Sequence, residues 1–140
     1  MDPLDLTDRA TYAFWSREKV RWGDQDGARH INNVAFASYL ETSRLELMLA
    51  KVIPHKGKGD NFTVRRVTIE YLGNTSYPNE LEIGSAVVEV GSSSFTIGQG
   101  IFLGDRCLAT GETVHVHLRE RAPFPLTDEL RAALEAEVPG

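Results

Sequence analysis

The chain has 140 residues, 41% of them apolar and 25% charged, with a formal net charge of −5. This length suits one domain with a single core, and the composition excludes disordered and fibrous classes. The acidic balance argues against general nucleic-acid binding, which needs a basic surface.

Asp2, Asp5 and Asp8 precede any apolar run, so the N-terminus lacks the basic start and apolar stretch of a secretory signal. No apolar run approaches the roughly 20 residues that span a bilayer. The single cysteine, Cys107, has no partner for an internal disulfide. The expectation is a cytoplasmic protein that does not enter a membrane. Cys107 itself reads as a small buried apolar residue.

In chain order, residues 17–22, REKVRW, alternate Val20 and Trp22 against Arg17, Lys19 and Arg21, which predicts a first strand. A dense polar turn follows, RWGDQDGARHINN, punctuated by Gly23 and Gly27. From Ile31 to Ile53 there is neither proline nor glycine, and Ala, Leu, Glu and Arg dominate. This predicts a helix of about 18 to 20 residues. Val34, Ala35, Phe36, Ala37, Tyr39 and Leu40 cover most of its circumference, so the helix is expected to be buried nearly all round. Pro54, Gly57 and Gly59 end it. Lys51, Lys56, Lys58, Arg65 and Arg66 then lie against Asp60 alone, forming a basic island on an acidic protein. The island is either a solvated loop or a site for a phosphorylated ligand.

From residue 62 the period becomes two. FTVRRVTIEYL sets Val67, Ile69 and Tyr71 against Arg66, Thr68 and Glu70, a half-buried strand. LEIGSAVVEV and FTIGQGIFL follow; a Gly104-Asp105 hairpin then leads into CLATGETVHVHL. Four strands joined by short turns predict an antiparallel meander. His115 and His117 share one face of the last strand, read as an exposed or interface face. The tail restarts after Pro125 as a short helix, with Thr127 as N-cap and Asp128 and Glu129 in its first turn. One domain over residues 1–140 is expected, with core 16–118 and tail 119–140. Its class is α+β, with a sheet that must curl around the helix and a second copy that helps to close the structure.

The run from Asp24 through His30-Ile31-Asn32-Asn33 to Glu41 and Arg44 resembles the hot-dog-fold acyl-CoA thioesterases of the 4-hydroxybenzoyl-CoA thioesterase type. So do the meander with SSSFTIGQGIF and the tail PFPLTDELRAALE. The resemblance covers about residues 16–136. It implies a curled antiparallel sheet of about five strands wrapped around one long central helix, with a short C-terminal helix. It further implies a dimer whose sheets join edge to edge, or a dimer of dimers, with active sites at subunit interfaces. By motif alignment the catalytic carboxylate falls on Asp26, and the backbone N–H that polarises the thioester carbonyl falls on Asn33. Related acyl-carrier thioesterases carry Asp-x-Asn-x-His-x-Asn-Asn, whereas this chain has Ala28 at the first asparagine. The hydroxybenzoyl branch has Asp-Pro-Ala-Gly, from which Gly27 and Arg29 depart.

The chemistry of these residue types agrees. A helix starting near Ile31 to Asn33 offers unpaired N–H groups and the positive end of its dipole. One such donor is worth roughly 3 kcal/mol at a developing oxyanion. Asp26 can act as nucleophile or as general base on water, or it can serve simply as a turn residue. His30 orients that carboxylate, contacts substrate or satisfies the turn. Asn32 and Asn33 also suit helix capping. Glu41 and Arg44, three apart on one helix face, read as an ion pair, with catalysis as the other reading, and Asn32 and Glu41 are substrate-binding candidates. Asp24 reads as a structural acceptor of backbone N–H groups, and Trp22 and Phe36 as core or pocket wall. Lys56, Lys58, Arg65 and Arg66 are candidates for the phosphates of coenzyme A. No metal site and no cofactor beyond the coenzyme A of the substrate are expected. The substrate is an acyl-CoA or an acyl carrier protein thioester. Two rival readings are a hot-dog enoyl-CoA hydratase, whose Asp-x-Asn-Pro-x-His pattern is absent, and a non-catalytic acyl-CoA-binding protein.

Overall fold

The computed structural model describes residues 4–140. Strand β1 (Phe14–Lys19) leads through a 3-10 turn (Trp22–Asp24) and a polar loop into helix α1 (Asn33–Leu47). The helical path continues through a widened π turn (Met48–Val52) and a 3-10 turn (Ile53–His55), making 23 residues in all. Strands β2 (Asp60–Tyr71), β3 (Glu80–Val90), β4 (Ser94–Leu103) and β5 (Arg106–Arg119) follow, then a two-residue β6 (Ala122–Pro123) and helix α2 (Asp128–Glu135).

All neighbouring strands are antiparallel, in the order β1-β3-β4-β5-β2, with β6 beside the end of β5. The sheet curls around α1, which is the hot-dog fold. Gly111 on β5 lets the helix approach closely, because a Cβ there would lie 3.1 Å from Leu40 Cδ1. Phe36, Tyr39 and Leu40 pack against Leu81, Ile83, Ile101 and Leu108, while Leu47, Met48 and Val52 pack against Phe95, Ile97, Leu130 and Leu134. Helix α2, capped by Thr127 on the Leu130 N–H at 3.2 Å, thus closes the far end of the core.

Several expectations are corrected. The meander has three strands, β3 to β5, because β2 lies beside β5 and residues 72–79 cross the sheet to β3. Gly, Asn, Ser and Pro make that segment read as a turn, yet eight extended residues reach about 26 Å. The crossing needs only about 14 Å, three strand spacings. Strand β1 begins and ends earlier than residues 17–22, since the Asp24 carboxylate accepts from the Arg21 N–H at 2.9 Å and winds the following turn. Trp22 is therefore 64% exposed and meets Tyr77 edge-on, whereas Phe36 is core. β2 is an edge strand, with Val64, Val67 and Tyr71 all nearly half exposed. Nor is the helix buried all round: Val34, Leu45 and Leu49 form an exposed apolar stripe that one curled sheet leaves uncovered. His115 and His117 are buried, not exposed, because β5 is interior and their face looks toward the core. No helix among the described residues is long and apolar enough to cross a membrane.

Candidate active site

The loop between β1 and α1 is built from short polar contacts. Asp24 accepts from the Arg21 N–H and, through the same carboxylate oxygen, from the Tyr39 hydroxyl on α1; its carbonyl accepts from the Asn32 N–H at 2.8 Å. Asp24 is thus the structural anchor that its position suggested. Burial, then the Asp24 carboxylate, pushes the Tyr39 hydroxyl far above its ordinary pKa, so it stays a donor.

Two residues on, Asp26 sits at the neck of a tight turn. Its N–H donates to the His30 carbonyl at 2.8 Å, and its carbonyl accepts from the Arg29 N–H at 3.0 Å. Its Oδ1 accepts from the N–H groups of Ala28 (2.9 Å) and His30 (3.2 Å), while Oδ2 has no hydrogen bond among the described residues. Arg29 takes the left-handed conformation that closes the turn, φ 61°. Asp26 is exposed. Asp26 therefore serves as a turn residue through Oδ1, and this leaves its Oδ2 without a hydrogen bond among the described residues. His30 positions the carboxylate through its backbone, leaving its imidazole exposed.

A bridge between Gln25 and Ile31 closes the loop beneath this turn. Ile31 N–H donates to the Thr75 carbonyl (3.1 Å) and to Asn74 Oδ1 (3.0 Å), and Asn74 Nδ2 returns a bond to the Ile31 carbonyl (3.1 Å). Gln25 Oε1 accepts from the Tyr77 N–H at 3.0 Å, and the Tyr71 hydroxyl donates to the Asn33 carbonyl at 3.2 Å. The β2–β3 crossover is therefore the second wall of the loop. Asn74, Tyr77 and Tyr39 were missed in the sequence, where each reads as a turn or core residue.

The helix starts where the motif expects. Asn32 is its N-cap, with Oδ1 accepting from the Val34 N–H at 2.9 Å, and Asn33 is the first helical residue. The first intrahelical bond runs from the Phe36 N–H to the Asn32 carbonyl, so the Asn33 N–H has no intrahelical acceptor and lies exposed.

The remaining candidates are not gathered here. Lys56 and Lys58 lie exposed beyond the other end of the helical segment, about 33 Å away at 1.5 Å per residue. Lys56 Nζ donates to the Asp60 carbonyl at 3.1 Å. Arg65 and Arg66 are exposed on β2, at a break in register with β5 between Val64 and Arg66. The expected Glu41–Arg44 ion pair does not form within 4.0 Å among the described residues. Glu41 is exposed, whereas Arg44 turns inward to 7% exposure, its Nη1 3.5 Å from Gln99 Oε1.

A second carboxylate escaped notice. Asp60 is 2% exposed; its Oδ1 accepts from Arg119 Nη2 (2.8 Å) and Nε (3.0 Å) and lies 3.0 Å from His117 Nε2, and its Oδ2 accepts from the Gly57 N–H (2.8 Å). Burial alone would raise this carboxyl, but these partners together hold it below the usual carboxylate range. Among the described residues no cluster of three or more His, Cys, Asp or Glu has the arrangement of a metal site.

Strand order, wrapped helix and a loop carboxylate beside a helix start define a hot-dog protein of the thioesterase kind. Comparison with known proteins carries this one step further: the chain matches the thioesterase-like superfamily over residues 20–134 and belongs to that family. No curated protein matches it. Among solved structures, a protein from Pseudomonas aeruginosa is 27% identical, with TM-score 0.82 over 95% of this chain and 96% of that one. A Thermus thermophilus thioesterase complexed with coenzyme A and zinc is 27% identical, with TM-score 0.80 over 90% and 94%. A probable thioesterase from Escherichia coli, 23% identical with TM-score 0.77 over 89% and 98%, shares the fold.

Proposed function

We propose that this protein hydrolyses acyl-CoA thioesters at the loop carrying Asp26. One observation carries the reading: the exposed Asp26, with Oδ2 unengaged among the described residues, and the Asn33 N–H without an intrahelical acceptor belong to one hydrogen-bonded loop and helix start, in a chain of the thioesterase-like family. The Asn33 N–H and the helix dipole stabilise the oxyanion as the carbonyl is attacked. Asp26 then acts by one of two routes. As nucleophile it forms an acyl–aspartyl anhydride and expels the thiolate, which is protonated, and water cleaves the anhydride. As general base it takes a proton from a water that attacks the carbonyl directly. Both end in a carboxylic acid and free thiol. An acyl adduct on the Asp26 peptide in rapid-quench mass spectrometry marks the first route.

The coenzyme A complex of the Thermus thioesterase supports coenzyme A as the carrier. The uncovered stripe of Val34, Leu45 and Leu49, together with the free apolar edge of β2, supports a dimer joined through β2. Antiparallel pairing of two β2 edges about their midpoint sets Tyr71 of one copy beside Asp60 of the other. Tyr71 bonds to Asn33, and Asp60 follows the loop of Lys56 and Lys58, so each site receives the second copy's basic loop for the phosphates of coenzyme A. Gel filtration is expected to give a dimer or tetramer; a fully active monomer contradicts this assembly.

The test is release of free thiol from short, long and aromatic acyl-CoAs and from acyl carrier protein thioesters. Turnover of at least one supports the reading. Binding without release marks a non-catalytic acyl-CoA protein, and hydration of crotonyl-CoA marks a hydratase; either result overturns it.

A further inference from the structure

A cavity of about 390 Å³ lies between the outer half of α1 and the start of β2. Leu45, Met48, Ile53, Phe62 and Val64 give it apolar walls, yet Arg44 and His115 also line it. Arg44 is only 7% exposed, with no carboxylate within 4.0 Å among the described residues. Among the described residues its one acceptor is Gln99 Oε1, at a long 3.5 Å. The Gln99 amide is fixed in that orientation because Nε2 donates to the Leu40 carbonyl (3.0 Å) and to Ser85 Oγ (2.9 Å). A guanidinium has five N–H donors, so most of those of Arg44 are left to the cavity it lines rather than to protein acceptors. His115 stacks on Phe95 at 5.0 Å, and its buried Nδ1 has no partner among the described residues. Burial, and then Arg44, push His115 down to about 4, which leaves it neutral and available as a hydrogen-bonding partner. Glu41 stands exposed at the rim, near enough to attract Arg44 but without an ion pair.

An isolated buried cation is costly unless an anion completes it. Apolar walls around a lone guanidinium fork match a short methylene chain that ends in a carboxylate, held bidentately. The volume lies within the range of small-molecule pockets. In the dimer proposed above, Tyr71 of one copy, whose hydroxyl bonds to Asn33, pairs with Asp60 of the other, next in sequence to Asn61 and Phe62 of that copy's cavity.

We propose that this cavity is the acyl subsite, and that Arg44, assisted by His115, selects acyl-CoAs whose acyl group carries a distal carboxylate. This deepens, and rests on, the thioesterase reading. It makes the substrate a dicarboxylic acid monothioester, with the thioester at Asp26 and Asn33 of one copy and the distal carboxylate at Arg44 of the other. Glu41 at the rim disfavours a second anionic group along the chain.

The experiment compares suberyl-CoA with octanoyl-CoA, and adipyl-CoA with hexanoyl-CoA, on wild type, Arg44→Met and Arg44→Lys. The expected result is a kcat/KM ratio of tenfold or more in favour of the carboxylated partner in wild type. That ratio falls to one or below in Arg44→Met and is partly kept in Arg44→Lys, which retains charge without the fork. No preference in wild type, or a preference unchanged by Arg44→Met, overturns the proposal. Calorimetric binding of two unreactive thioethers, S-(7-carboxyheptyl)-CoA and S-octyl-CoA, separates this from failure of the thioesterase reading. Tighter binding of the carboxylated ligand, lost in Arg44→Met, supports the subsite even where no thiol is released; equal binding of the two overturns it.

Discussion

Asp26 lies in the loop between β1 and α1 and Asp60 at the start of β2, and the two aspartates have opposite surroundings. Asp60 is sealed in the interior and its carboxylate is met by Arg119, His117 and Gly57. Asp26 is exposed, and only its Oδ1 is engaged, by the N–H groups of its own turn. A carboxylate with both oxygens held by donors inside the protein is fixed as an acceptor and shut off from substrate and water. One that is oriented through a single oxygen presents the other in a fixed place. Burial with both oxygens engaged marks the structural acid, and it is the partly engaged carboxylate near a helix start that the proposed reaction uses.

The sharpest way to break this contrast is Asp60→Ala. It strands the buried His117 and the inward end of Arg119, and the expected loss is about 3–5 kcal/mol of stability. Urea denaturation checks it; a loss under about 1 kcal/mol means that Asp60 is not the structural partner described here.

Next in size is the acid sensitivity of the same region. His115 is held at about 4 against an ordinary 6.5, so the folded state favours its neutral form. Its contribution is complete above 6.5 and declines as pH falls from 6.5 to 4, a change on the order of 3 kcal/mol. Asp60, held below its ordinary value, adds a further loss at lower pH as it protonates. Thermal unfolding from pH 7 to pH 4 is expected to show a falling Tm in wild type and a shallower fall in His115→Gln. Parallel curves for the two proteins would remove His115 from the account.

A smaller effect sharpens the other side. Asn32→Ala deletes the cap on the Val34 N–H and is expected to cost about 1 kcal/mol. Because this cap also sets the position of the Asn33 N–H, kcat is expected to fall with KM little changed. An Asn32→Asp variant, which caps equally well, is expected to restore the stability.

Much of this was legible in the sequence, for identifiable reasons. The polar turn and the helix start were visible because local hydrogen bonding fixes them: Asp26, Asn32 and Asn33 act within a few residues of themselves. The Gly104-Asp105 hairpin was visible for the same reason, with Gly104 in the positive-φ position at 60° that such a turn needs first. What was lost depends on long-range pairing. Nothing in the GNTSYPN segment says that it crosses the sheet, so its role as the wall of the Asp26 loop, through Asn74 and Tyr77, stayed hidden. The pairing of Arg119 and His117 with Asp60 spans nearly sixty residues and has no local signature. Likewise the Glu41–Arg44 spacing suits an ion pair on any exposed helix, but β4 and β5 behind this one draw Arg44 inward to Gln99.

The most direct test of the central claim is kcat/KM for thiol release by wild type and Asp26→Asn on the same acyl-CoA, with Tm measured on both. The account predicts a loss on the order of a hundredfold or more in the variant, at a Tm within a few degrees of wild type. Wild-type rates in a folded Asp26→Asn would contradict it, and would move the reaction away from this carboxylate.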